Sequence, residues 1–112
     1  MIYHNKLVRD KIPQIIQSKG KFCKFRKLDK QDYVIELRNK LKEEFMEYLS
    51  DPCKEELADI IEVIDALAQS DGLTLSDIVK VKEKKKEERG GFTDRLFLES
   101  VTEGDQGGVD NG

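Results

Sequence analysis

Residues 29 to 69 constrain this chain more than any other stretch. Val34, Leu37, Leu41, Phe45 and Tyr48 recur at spacings of three and four, and Leu57, Ile60, Ile61, Ile64 and Leu67 repeat the pattern. Such spacing gathers apolar side chains on one face of an α-helix. Between the two sets stands Asp51-Pro52, and proline has no amide hydrogen to continue a helix. The pattern therefore predicts two amphipathic helices, at about 29–49 and 53–69, joined by a tight turn. So short a connection makes them antiparallel neighbours.

The flanking residues supply further punctuation. In LVRDKIPQIIQSKG, Asp10 is positioned to cap a helix, Pro13 falls in its first turn and Gly20 closes it, with Ile12, Ile15 and Ile16 facing inward. The segment 21–28, KFCKFRKL, alternates weakly and fits either a short strand or an extended connector. Asp29 opens the second helix and Gly72 stops the third. Thr74-Leu-Ser-Asp77 begins a fourth in the manner of a capping box, ending near Arg89 before Gly90-Gly91. Beyond it, FTDRLFLESV has enough apolar residues to dock against the body, whereas the polar, Gly-rich end reads as a disordered tail. The expected architecture is an all-α four-helix bundle, one domain over 1–98 with a tail over 99–112.

Composition fits that architecture and removes several function classes. Charged residues make up 38% of the chain and aromatics 7%, without tryptophan, which suits a charge-laced helical protein better than a sandwich or barrel. A net charge of -3 gives no support to nucleic-acid binding. Cys23 and Cys53 stand alone, with no CxxC and no histidine neighbour, so neither a zinc site nor a disulfide framework is indicated. No apolar run approaches the roughly 20 residues of a membrane span, and MIYHNKLVRDK lacks the apolar stretch of a signal peptide. A cytoplasmic protein without membrane contact is the expectation.

The central helices also carry acids in pairs, Glu44/Glu47 in KEEFMEYL and Glu56/Asp59 in EELADIIEVIDAL. Residues three apart share a helix face, so two adjacent helices would aim four carboxylates at one spot. At about 4 Å and an effective dielectric near 20, each ionised pair repels by roughly 4 kcal/mol. Such a cluster calls for protons or a divalent ion, and all-carboxylate ligation favours Mg²⁺ or Mn²⁺. Spacing alone decides little. With 23 acids in 112 residues, an i,i+3 acidic pair arises by chance at roughly one start position in twenty-five. On spacing alone, solvated faces with salt bridges to Lys40 or Lys42 are the better account of the pairs.

Azimuth, at about 100° per residue, separates the two accounts further. Glu44 falls beside Leu37 and Leu41, with Glu47 one step round, while Glu56 borders Ile60 and Val63 and Asp59 projects between Val63 and Ala66. Glu36, Glu43, Glu55, Glu62 and Asp65 fall toward the polar sides. A carboxylate near apolar ground without a partner is costly. On the fourth helix, Lys82, Lys86 and Arg89 continue the azimuth of Leu75, Ile78 and Val79. Snorkelling stems, or cations attracted to a helix C-terminus, account for that stripe. Metal beside inward-facing cations is also what a polyphosphate requires.

Three separated blocks now carry a resemblance: NKLVRDKIPQII, then KLKEEFMEYL followed by EELADIIEVIDAL, then KKKEERGGF. Together they cover most of residues 5–98, and the chain resembles the MazG-like all-α nucleoside triphosphate pyrophosphohydrolases, closest to their small single-domain branch. The family motif reads ExxE, a spacer, then ExxD, which Glu44, Glu47, Glu56 and Asp59 match, with a shorter spacer than in the longer members. The resemblance implies that these four bind Mg²⁺ and act in catalysis. It also implies hydrolysis of a nucleoside triphosphate between the α and β phosphates to a monophosphate and pyrophosphate, as nucleotide-pool house-cleaning. Lys82, Lys86 and Arg89, joined by Arg9 and Lys11, would hold the polyphosphate.

Two rival readings follow from the same residues. Phosphoribosyl-ATP hydrolysis in histidine biosynthesis cleaves the same bond in a larger substrate. A non-catalytic helical dimerisation module would use its charges for solubility alone. Apolar residues on more than one flank of the central helices, with Val63 and Ala66 opposite Leu57 and Ile61, predict a homodimer or higher homo-oligomer.

Overall fold

The computed structural model of the protein describes residues 1–104. It contains four helices, α1 (Ile12–Ser18), α2 (Lys30–Ser50), α3 (Lys54–Ser70) and α4 (Leu75–Arg89). No strand occurs among the described residues, so the segment 21–28 is a connector without regular structure. Of the expected tail, residues 105–112 lie outside the described residues.

Local chemistry accounts for most helix ends. The Asp29 carboxylate accepts a hydrogen bond from the Asp32 amide at 2.8 Å and fixes the start of α2. At the other end the Asp51 amide still donates to the Glu47 carbonyl at 2.9 Å, after which Pro52 forbids another turn. Cys53 is the extended residue before α3, and Glu55 and Glu56 lie in its first turn, where the helix dipole favours carboxylates. Gly72, with φ of 76°, takes the left-handed conformation that turns the chain toward α4. The start of α1 departs from expectation. Its cap is Lys11, with no side-chain hydrogen bond, and Asp10 precedes the helix. Pro13 at the first turn already presets the helical φ and removes one amide that a cap would serve.

Burial begins where α2 meets α3. Glu44 in the second half of α2 lies within ligand distance of Glu56 and Asp59 in the first two turns of α3, the pairing that an antiparallel hairpin produces. The buried apolar residues among those described are Leu37, Val63 and Ala68, with Leu37 only 2% exposed. Helix α1 packs on neither α2 nor α3. Ile12 and Ile16 are half-buried, while Ile15, expected inward, is exposed. The chain divides into two compact units, Met1–Leu75 and a second beginning at Ser76.

Other apolar residues also depart from expectation. Phe45, Leu57 and Ile61 are exposed, and α3 buries Val63 and Ala68 instead. A helix that is apolar on two flanks can turn only one of them toward a single partner helix. Phe92, Leu96, Phe97 and Leu98, expected to dock, are exposed as well. That stretch lacks the helical or strand period that would gather its apolar side chains on one side.

Candidate metal centre

Glu44 is the most unusual charged residue in the hairpin. It is 6% exposed, the buried polar residue among those described. One oxygen, Oε1, is ion-paired with Lys40 Nζ one helical turn earlier at 3.3 Å, while Oε2 is buried with no hydrogen-bond partner. Glu56 on the facing helix also has a buried, unpartnered Oε2. Orphaned carboxylate oxygens are expensive inside a protein, because water has been removed and nothing replaces it.

The acids form two overlapping groups, Glu44/Glu56/Asp59 and Glu43/Glu44/Glu47, with Glu44 common to both. Within each, one oxygen per residue lies within 4.8 Å of the others. Cations surround them. Arg9 Nη2 donates to Asp59 Oδ1 at 2.7 Å, and Lys6 and Lys40 each donate to Glu43 at 3.3 Å. Glu47 and Glu56 have no ion pair among the described residues. An open depression lined by Glu43, Met46, Glu47, Ser50, Asp51 and Glu56 borders the acids.

Electrostatics differ between neighbouring carboxyls. Burial pushes the Glu44 carboxyl above its ordinary value; the Lys40 hydrogen bond opposes this, and the adjacent Glu47 adds to the rise. For Glu43, burial also pushes upward, but hydrogen bonds from Lys40 and Lys6 outweigh it and hold the group below the ordinary value.

The donor set fits a hard divalent cation. Metal–oxygen distances of about 2.0–2.6 Å put ligands no more than about 4–5 Å apart, and these oxygens lie within 4.8 Å of one another. The orphaned oxygens of Glu44 and Glu56 are the groups that such an ion would satisfy.

The sequence-derived residues are therefore placed unevenly. Glu44, Glu56 and Asp59 are brought together, while Glu47, which is exposed, groups with Glu43 and Glu44. Arg9 reaches Asp59; Lys11 is exposed and has no ion pair among the described residues. Lys82, Lys86 and Arg89 are exposed on α4, and Lys82 pairs with Glu83 at 3.0 Å. Glu43, assigned to a polar side, is half-buried and shares Lys40 with Glu44. Its i,i+3 spacing from Lys40 was the available signal. The contribution of Lys6 left none, because a contact from an irregular segment has no period.

No family model, no curated protein and no solved structure matches this chain.

Proposed function

We propose that the chain is a MazG-like helical-bundle hydrolase of the cytoplasm that binds Mg²⁺ and cleaves a nucleoside triphosphate between the α and β phosphates. The observation that carries the reading is the buried Glu44 carboxylate, which has one unpartnered oxygen and lies in one group with Glu56 and Asp59. A structural salt bridge would have matched that oxygen. Chance spacing of exposed acids would not have buried it.

Glu44, Glu56 and Asp59 would hold the ion, with Glu47 at the exposed edge. When bound, Mg²⁺ or Mn²⁺ supplies polarisation of phosphate oxygens and an activated water. Glu47 borders the open depression and groups with Glu43 and Glu44, a position from which it can orient that water and take its proton. Arg9 offers the guanidinium nearest the acids, and its planar fork suits phosphate oxygens. Lys40 stays on the Glu43/Glu44 edge and moderates the repulsion within the cluster. A phosphate-binding part for Lys82, Lys86, Arg89 and Lys11 is supported by the resemblance alone.

A homo-oligomer, a dimer at its smallest, belongs to the same proposal. Phe45, Met46, Leu49, Leu57 and Ile61 are exposed along α2 and α3, while burial in the described residues is confined to a few side chains. Light scattering at micromolar concentration should give a multiple of the chain mass, and a monomer would remove this part.

The enzymatic reading is tested by pyrophosphate release across ordinary and modified triphosphates, with phosphoribosyl-ATP in the panel. Glu56→Ala and Asp59→Ala should lose Mg²⁺-dependent release while retaining helical circular dichroism. Full activity in a folded double variant sinks the assignment. Absence of any Mg²⁺-induced rise in Tm, with or without nucleotide, would favour a dimerisation module.

A further inference from the structure

The cations around the acidic centre are not equivalent. Lys40 projects from α2 and is shared between Glu43 and Glu44, with its side chain only 16% exposed. It is a fixed counter-charge, held by the helix that carries its partners. Arg9 belongs to the irregular segment before α1, its side chain is 56% exposed, and among the described residues Asp59 is the acid with which it pairs. An exposed pair of this kind contributes little and is easily exchanged. Among the described residues, five carboxylates (Glu43, Glu44, Glu47, Glu56 and Asp59) face three cations (Lys6, Arg9 and Lys40), and the two without an ion pair there are Glu47 and Glu56. The cluster thus has charge available for a divalent ion, but Asp59 already accepts from a guanidinium at 2.7 Å.

We propose that Arg9 is an exchangeable counter-cation, holding Asp59 in the metal-free protein and giving it up to an arriving divalent ion, so that the guanidinium is then free to grip the substrate's phosphates. This rests on the metal reading above. It adds a coupling: filling the acidic centre creates the anion anchor. A guanidinium suits both states, since its fork matches carboxylate and phosphate alike and it stays charged at every relevant pH. Lys40 cannot play this part, because leaving α2's own acids would strand the buried Glu44 carboxylate. The exchange also gives an order to binding. A polyphosphate arriving first meets uncompensated Glu47 and Glu56 with Arg9 already engaged, whereas after cation entry the negative charge is reduced and a guanidinium is available.

Calorimetric titration separates this from a merely structural ion pair. The probes are Mn²⁺ alone, and then an α,β-methylene nucleoside triphosphate at saturating Mn²⁺. Arg9→Gln removes the competitor, so Mn²⁺ alone should bind roughly two- to fivefold more tightly than to the wild type. The same variant should bind the analogue about tenfold more weakly, the worth of a charge-assisted pair of hydrogen bonds. Arg9→Lys keeps the charge but loses the fork. It should retain the wild-type Mn²⁺ affinity and lose part of the analogue affinity, and it carries the test should the glutamine variant not fold. Arg38→Gln, an exposed cation on α2 outside the cluster, should change neither quantity. Unchanged or weaker Mn²⁺ binding in Arg9→Gln overturns the exchange, as does undiminished analogue binding. Absence of Mn²⁺ binding to the wild type, with and without analogue, instead overturns the metal reading beneath it.

Discussion

On the α2–α3 hairpin, Glu44, Glu56 and Asp59 meet from two helices, one of them almost fully buried and two with unpartnered oxygens. On α4, charges are just as dense, yet Lys82, Lys86 and Arg89 are exposed, no residue of the helix is buried, and Lys82 pairs with its sequence neighbour Glu83. Both regions began as charged residues at helical spacing. The difference lies in packing. A facing helix removes water from one side of a carboxylate, and only then does its charge become expensive enough to demand a ligand. A single helix surface leaves each charge solvated, and a pair on it is screened and weak. Charge density therefore says where acids can meet, and desolvation says where a carboxylate needs a proton, a counter-charge or an ion.

Cutting into the packing that desolvates the acids should have the largest effect. Leu37→Ala removes the most buried side chain of the hairpin and should cost about 2–5 kcal/mol. In a domain of this size that is a fall in Tm of roughly 10 °C or more. The matched change on α4, Val79→Ala at an exposed position, should stay within about 0.5 kcal/mol. Thermal melts of the two variants under one buffer compare the regions directly, and equal losses would mean that α4 is as firmly packed as the hairpin. Next in size comes the function of the acids themselves. Partners one shell out from a metal typically cost ten- to a hundredfold when lost, so Glu56→Ala should lower pyrophosphate release by at least about a hundredfold. Glu83→Ala on α4 should leave it within a factor of about two.

Much of this contrast is legible in the sequence. Asp29, Pro52 and Gly72 mark helix ends through local chemistry, hydrogen bonding or backbone conformation, and each acts where the sequence places it. The azimuth of Glu44 beside Leu37 and Leu41 points to partial burial, and the residue is 6% exposed. What periodicity could not supply was the choice between two apolar flanks on α3. Leu57 and Ile61 were as good a face as Val63 and Ala68 until α2 took one side. Nor could it supply Lys6 and Arg9, whose contacts with Glu43 and Asp59 span 37 and 50 residues from a segment with no repeat. Asp10 misled because Pro13 made a side-chain cap dispensable. On α4 the apolar azimuth was read as an inward direction, and the helix keeps every one of its residues unburied.

A third effect has the opposite sign. Because Glu44 is buried with one oxygen orphaned, Glu44→Gln should stabilise the metal-free protein at a pH where the wild-type carboxyl is ionised. The direction follows from the raised carboxyl. A folded-state value above the ordinary 4.5 means that the unfolded chain releases its proton first, so the wild type loses stability as pH rises between the two values. The gain of the variant is therefore full above the raised value and vanishes below the ordinary one. Denaturant melts in EDTA across that range measure it, and saturating Mn²⁺ should reverse the ranking, since the wild type then gains the binding energy that the variant lacks. A variant less stable than the wild type without metal would mean that Lys40 compensates the carboxylate fully.

The smallest effect is the one that holds the comparison to account. Lys82 and Glu83 lie 3.0 Å apart with side chains 67% and 58% exposed, and the Lys82 hydrogen bond holds the Glu83 carboxyl below its ordinary value. On distance alone this pair is closer than the lysine pairs around the acidic centre, which stand at 3.3 Å. In water it competes with free hydration of both groups, and both side chains surrender rotamer freedom to meet. Lys82→Gln should therefore leave Tm unchanged within measurement scatter at both about 0.01 M and about 1 M salt, where the screening length falls from about 30 Å to about 3 Å. A salt-dependent loss would show that the charges of α4 are organised like those of the hairpin, with water excluded from at least one side. The distinction between a solvated charge run and a built site would then have to be drawn elsewhere.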